Sequence, residues 1–239
     1  MRALVIKHDH VSPLGPIQER LEGHGFTCLD HEVITAETFH APSVTTAFPD
    51  PTEFDLIVPM GAIWAVYDVE LVGSWVLPEL DLLRAADAAG VPVLGICFGG
   101  QALAMAHGGD VVVSERPEIG WTDVETDDAT LVPPGPWFQW HGDRWHMPPG
   151  AREVARNEAA SQAFVLRRNL AVQFHPELLL PGLRGWLGNG GADAARARGQ
   201  DPEALLAETA DREADARRRA HLLVDGFLAH VAGADLAAP

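Results

Sequence analysis

Short apolar runs alternate with helical patterns through the first hundred residues. Residues 3–6 form a compact apolar run followed at once by polar side chains, as in the first strand of an open sheet. Residues 14–24 predict a short helix, with Pro16 near its start and Gly23 and Gly25 at its end. Residues 26–29 and 32–34 are short strand-like pieces, and the proline-bearing stretch 41–52 reads as loop. The run FDLIVP at 54–59 predicts a second buried strand, followed by a glycine-bearing loop over 60–68. A helical pattern over 80–89 is closed by Gly90. A third apolar run, VPVLGI at 91–96, then leads into a helix over 101–107.

The second half is richer in strand patterns. Residues 111–113, 121–125 and 137–140 are candidate strands, and 164–166 with 170–174 predict a hairpin across the basic turn 167–169. The glycine-rich stretch 188–191 reads as a loop between helical pieces. From Pro202 onward the chain predicts a helix, with Asp201 as N-cap and Pro202 at the first helical position. Strands alternating with helices, then a strand-rich insertion, then helices indicate an α/β open sheet, expected as a single domain over 1–239.

Charge narrows the partners. Acidic residues number 34 against 17 Lys and Arg, a formal net charge of −17, which opposes binding to nucleic acid or an anionic membrane. The basic cluster 217–219 stands beside Asp211, Glu213 and Asp215 and reads as the charged face of a helix. No apolar run approaches the ~20 residues that span a bilayer, and the N-terminus lacks the pattern of a secretory signal. The chain is expected to be soluble and cytoplasmic. With only Cys28 and Cys97, each thiol is judged alone rather than as half of a disulfide framework.

Cys97 stands out. In VLGICFGGQALA, residues 93–104, an apolar strand runs into a cysteine, and glycines follow immediately before a helix. This is the strand–turn–helix elbow that presents a nucleophile in hydrolases. Gly95 and Gly99 flank Cys97, allow a tight backbone and leave room for a substrate. The helix start favours thiolate over thiol, and the Phe98 N–H is placed to meet an oxyanion. Cys28 lacks such an elbow and reads as a packed thiol. A second feature, VQFHPE at 172–177, places His175 and Glu177 two residues apart on either side of a rigid proline. A thiolate needs an imidazole to manage its proton, and the imidazole needs a carboxylate to set its tautomer. His8, Asp9 and His10 resemble metal ligands but lack a second cluster at matching spacing and read as a loop after the first strand. No metal or cofactor is expected.

GICFGGQ together with HPE resembles the class I glutamine amidotransferases, which release ammonia from glutamine with a Cys-His-Glu triad. The resemblance implies that Cys97, His175 and Glu177 are catalytic. It likens GAIWAVYD at 61–68 to the family loop GGPxSVYD, so the backbone at Gly61 and Ala62 would join Phe98 in an oxyanion hole. It likens Gln101 to a substrate-contacting glutamine, and Trp140, His141, Gly142 and Asp143 to the segment that receives the substrate's α-carboxylate and amine. That match accounts for the stretch carrying His141, Asp143 and His146 without a metal. The fold it implies is flavodoxin-like, and the partners are L-glutamine and a synthetase or acceptor enzyme. More narrowly, the chain is similar to stand-alone members close to the glutaminase domain of GMP synthase. It departs from the family pattern at Ala62, Ile63 and Gly100. Three alternatives stay open: a hydrolase acting on another γ-glutamyl amide, a catalytically silent regulatory or binding subunit, and a cysteine hydrolase of another family on a similar fold, which would not be expected to carry HPE.

Overall fold

A computed structural model describes residues 1–233. The first half supplies four parallel strands of a sheet: β1 (Arg2–Lys7), β2 (Thr27–Glu32), β3 (Leu56–Pro59) and β4 (Val93–Ile96). Helices α1 (Gly15–Gly23), α2 (Val69–Ala89) and α3 (Phe98–Ala106) connect them. The second half adds β5 (Asp110–Thr126), β6 (Gly135–His146), β7 (Arg152–Arg156), β8 (Ser161–Leu166) and β9 (Asn169–Val172). It closes with α4 (Leu180–Trp186), α5 (Ala192–Ala197) and α6 (Pro202–His230). The sheet order is β2-β1-β3-β4-β9-β8-β7-β5-β6. Its first five strands run parallel and the rest pair antiparallel. The class is α/β and flavodoxin-like, and the strand-rich half extends the parallel sheet rather than forming a sheet of its own.

Period-two alternation explains the two cores. Ala3, Val5, Leu56, Val58, Leu94, Ile96, Leu170 and Val172 face one way and meet Ile17 and Leu21 of α1 and Leu223, Val224 and Phe227 of α6. Leu4, Ile6, Ile57, Val93 and Ala171 face the other way, onto Trp75, Val76 and Leu83 of α2 and Leu103 of α3. A third cluster joins Phe138, Leu183, Leu187, Ala195 and Leu205, so that α4 and α5 cover the β5–β6 ribbon.

Several elements differ from the sequence expectation. Instead of two short pieces there is one strand, β2, which pairs in unbroken register with β1 from Thr27 to Glu32, and Val33 and Ile34 lie beyond it. The second helix begins at Val69, where the Asp68 side chain accepts from the Leu71 N–H, and continues through Pro78. Residues 111–113 and 121–125 belong to one long β5, whose register shifts between Val113 and Glu118 around Pro117. β7 was not foreseen. Asp201 does cap α6, accepting from the Glu203 N–H. Of the basic cluster, Arg218 reaches Asp215 on the exposed face, whereas Arg219 is buried, lies over the Trp137 ring and donates to the Pro136 carbonyl. Burial therefore lowers its pKa.

Candidate active site

β4 ends at Ile96, and Cys97 turns the chain into α3 with φ 51° and ψ −107°, a conformation non-glycine residues rarely hold. Close packing enforces the turn. A Cβ on Gly99 would lie 2.0 Å from the Pro59 carbonyl oxygen, and one on Gly95 would lie 2.7 Å from that of Gly99. The Cys97 N–H donates to Val172 O at 2.7 Å and the Gly99 N–H to Met60 O at 3.0 Å, which ties the elbow to β9 and to the end of β3. Cys97 is buried, with 4% of its surface exposed, at the wall of a cavity.

His175 and Glu177 follow β9. Phe174 stacks on Trp137, with centroids 4.5 Å apart, and the His175 N–H donates to Phe138 O at 2.9 Å. The imidazole Nδ1 lies 2.8 Å from Glu177 Oε1, with both side chains almost fully buried. Nε2 has no partner. Burial disfavours the imidazolium, but the charges of Glu177 and Cys97 outweigh it and raise the His175 pKa to about 10. Gly61 fits against this pair so closely that a Cβ there would lie 3.0 Å from His175 Cε1 and 3.8 Å from Cys97 Cβ.

The cavity measures about 380 Å³ and is lined by Cys97, His175, Gly61, Ala62, Gln101 and the 140–143 segment, among others. That volume lies in the ~300–1,000 Å³ range of small-molecule sites. The 140–143 segment lies in β6. The Cys97 Sγ is 4.0 Å from Trp140 O. His141 is committed elsewhere, its Nε2 on Glu118 and its Nδ1 on the Asp143 carbonyl, so this segment offers the cavity backbone rather than imidazole. Asp143 accepts from the Tyr67 hydroxyl at 3.1 Å, and burial raises its pKa. Gln101 donates to Asp143 O and to Gln173 Oε1. Phe98 turns its ring to the opposite core, leaving its backbone at the elbow.

Three features escaped the sequence. Gln173 is buried between Gln101 and Cys97, with Nε2 3.7 Å from Sγ. Its place in VQFHPE was the available signal. Trp186 meets the His175 ring edge-on at 4.8 Å and is itself held by Ser12 Oγ, at 2.8 Å, and through it by Asp9. The stretch read as a plain loop supplies Asn189, Gly190 and Gly191 to the cavity wall. Cys28 sits outside the site, and burial with Glu22 and Asp30 nearby pushes its thiol up to about 11. Among the described residues no three His, Cys, Asp or Glu side chains gather in a metal-binding group, and no helix is long and apolar enough to cross a membrane.

Residues 67–182 match the family model of glutamine amidotransferase class-I. The chain carries a class I glutamine amidotransferase segment. Cys97, His175 and Glu177 fall inside it, and Gly61 and Ala62 lie just before it. The glutamine-hydrolysing GMP synthase of Nitrobacter hamburgensis is 39% identical over 103 residues, 38% of this chain and 19% of that protein. That of Thermomicrobium roseum is 37% identical over 131 residues, 51% of this chain and 23% of that protein. The matched stretch thus spans about a fifth of the length of these curated relatives. Among solved structures, a glutamine amidotransferase from Thermotoga maritima aligns with a TM-score of 0.82 at 24% identity, covering 95% of this chain and 98% of that one. One from Methylobacillus flagellatus aligns at 0.78 and 26% identity, covering 96% and 95%. The fold of the class I amidotransferases therefore extends through most of the chain, beyond the matched segment.

Proposed function

We propose that this protein is a glutaminase of the amidotransferase type, with Cys97 as nucleophile. The observation that carries the reading is the meeting of a strained, buried Cys97 with the His175–Glu177 pair at one cavity, inside a class I glutamine amidotransferase segment. The Cys97 thiolate attacks the side-chain amide carbon of glutamine. The N–H groups of Phe98 and of the Gly61–Ala62 loop receive the oxyanion. His175, held protonated by Glu177, gives its proton to the departing ammonia. The same imidazole then takes a proton from the water that splits the γ-glutamyl thioester, and glutamate leaves. Gln101 and the backbone of Trp140, His141, Gly142 and Asp143 hold the amino-acid end of the substrate. A synthetase or other acceptor enzyme takes up the ammonia.

The test is glutamate release from L-glutamine by the wild type and by Cys97→Ser. Activity in the wild type that disappears in the variant supports the reading; equal activity in both refutes it. A second reading draws on the four aromatic side chains in the cavity lining, Phe39, Trp64, Trp140 and Trp186, which offer apolar surface to a substrate larger than glutamine. On that reading the same three residues cleave a bulkier γ-glutamyl amide. It is favoured if kcat/KM for a γ-glutamyl anilide exceeds that for glutamine.

A further inference from the structure

A second buried His–carboxylate pair lies behind the site. His8 follows β1, and its Nε2 is 2.9 Å from Glu79 Oε2 of α2, both side chains fully buried. The imidazole packs on Trp75 and Phe98, at 5.3 and 4.8 Å between centroids, and does not line the cavity. Its Nδ1 lies 3.2 Å from the Gly61 carbonyl oxygen. A carbonyl oxygen can only accept, so Nδ1 carries a proton. Glu79 then takes the other nitrogen, either as a carboxylate paired with imidazolium or as an acid donating to it. Burial opposes charge on His8, yet Glu79 and the Gly61 carbonyl raise its pKa above the ordinary value.

This contact bears on the oxyanion loop. Every peptide bond among the described residues is trans, so the Gly61 carbonyl and the Ala62 N–H point in opposite directions from one peptide plane. A donor that grips the carbonyl from behind therefore turns the N–H away from itself. His175 and Cys97 pack against the same residue, where a Cβ on Gly61 would lie 3.0 Å from His175 Cε1 and 3.8 Å from Cys97 Cβ. The loop has no proline at Ala62 or Ile63 to stiffen it, and Ile63 is largely exposed. We propose that His8, held by Glu79, is a positioning residue that fixes the Gly61–Ala62 peptide so that the Ala62 N–H faces the oxyanion formed at Cys97. This deepens the proposed function and rests on its oxyanion loop, but not on glutamine as the substrate.

The test compares two reactions of Cys97. Acylation by p-nitrophenyl acetate passes through an oxyanion, whereas alkylation by iodoacetamide does not, and mass spectrometry assigns both to Cys97. His8→Phe with Glu79→Met removes the donor and leaves no unpaired buried charge. Acylation should fall about tenfold or more, less than the ~100–1,000-fold cost of deleting an oxyanion donor, while alkylation stays within about twofold. His8→Asn with Glu79→Met restores an amide donor where Nδ1 stood and should recover most of the acylation rate. Glu79→Gln, whose amide can donate to Nε2 and leave the Nδ1 proton on Gly61, should stay close to wild type. Equal losses in both reactions, no loss in either, or wild-type acylation no faster than that of Cys97→Ala would each overturn the proposal. If the Phe/Met pair does not fold, nitrogen NMR of wild-type His8 decides: Nδ1 must be protonated at neutral pH, and an unprotonated Nδ1 refutes the grip. Acylation that behaves as expected in a protein unable to hydrolyse glutamine would remove the glutaminase reading and leave this one standing.

Discussion

Gly99→Ala should be among the most damaging single-carbon additions available to this chain. The added Cβ would stand 2.0 Å from the Pro59 oxygen and 2.5 Å from its carbonyl carbon, where ordinary contact begins at 3.4 Å. Both neighbours are backbone, so no side chain can swing aside, and the start of α3 must retreat from the end of β3 by more than an ångström. Overpacking of this kind costs about 1–3 kcal/mol. Alanine's better helix propensity returns no more than ~1 kcal/mol, so the net loss from the middle of that range should be about 1–2 kcal/mol. At ~2–4 °C per kcal/mol for a chain of this size, Tm should fall by roughly 2–8 °C. The same retreat strains the hydrogen bond from the Gly99 N–H to Met60 O and shifts Cys97 relative to Gly61. Misplacement of about 1 Å can cost a hundredfold in rate. Gly23→Ala is the matched control. It adds the same atom at the end of α1, where a Cβ would meet nothing within 4 Å, and should raise Tm slightly. Calorimetry and the alkylation rate of Cys97 check both variants. A Gly99→Ala protein with unchanged Tm and unchanged thiol reactivity would refute the claim that this contact sets the elbow.

Two further outcomes concern charge. Asp225 of α6 accepts from Arg20 Nε and Nη2, at 2.6 and 2.8 Å, and lies 2.7 Å from His24 Nε2, fastening α1 to α6. Burial raises its pKa, but the Arg20 and His24 hydrogen bonds and charges prevail and lower it, so its stabilisation is present above the unfolded value and fades as pH falls through the lower folded one. The group is a third exposed, so Asp225→Asn should cost only about 1 kcal/mol at pH 7. The gap to wild type should close below about pH 4. His175 behaves in the opposite sense. Its pKa is raised from 6.5 to about 10, so its contribution is complete below 6.5 and is lost as pH rises through 10. Part of that rise comes from Cys97, so in Cys97→Ala the imidazole should titrate at lower pH by NMR; an unchanged titration would refute the coupling.

What was legible in the chain and what was not divides along one physical line. A strand buried on both faces announces itself by composition alone, which is why 3–6, 54–59 and 91–96 were readable as β1, β3 and β4. β7 has the sequence REVAR and buries only Val154 and Ala155, so its existence depends on the partners β8 and β5, not on any pattern of its own. The long β5 was split because Pro117 and the polar residues around it interrupt the apolar signal where the register shifts. The Cys97 elbow and the His175–Glu177 pair were readable for a related reason. Each is a local motif whose residues lie within a few positions of one another, so chain geometry brings them together before any tertiary contact forms.

The surroundings of those motifs are the reverse case. Glu79 lies 71 residues from His8, and Trp186 lies 174 residues from Ser12. A buried Glu in a helix and a tryptophan beside glycines carry no sign of their partners until the sheet order sets them side by side. The parallel order β1-β3-β4-β9 does so by bringing the ends of β1, β3, β4 and β9 to one edge, where His8, Gly61, Cys97 and His175 follow their strands in turn. Ligands of open α/β sheets gather at the carboxyl ends of their strands for this reason. Each strand there contributes a different part. β4 presents the thiol, β9 the imidazole, β3 the loop that packs against both, and β1 the histidine whose Nδ1 lies 3.2 Å from the Gly61 carbonyl oxygen. The proposed chemistry is therefore written in two short segments, but the arrangement of the candidate site depends on four strand ends meeting in register, which no single segment encodes.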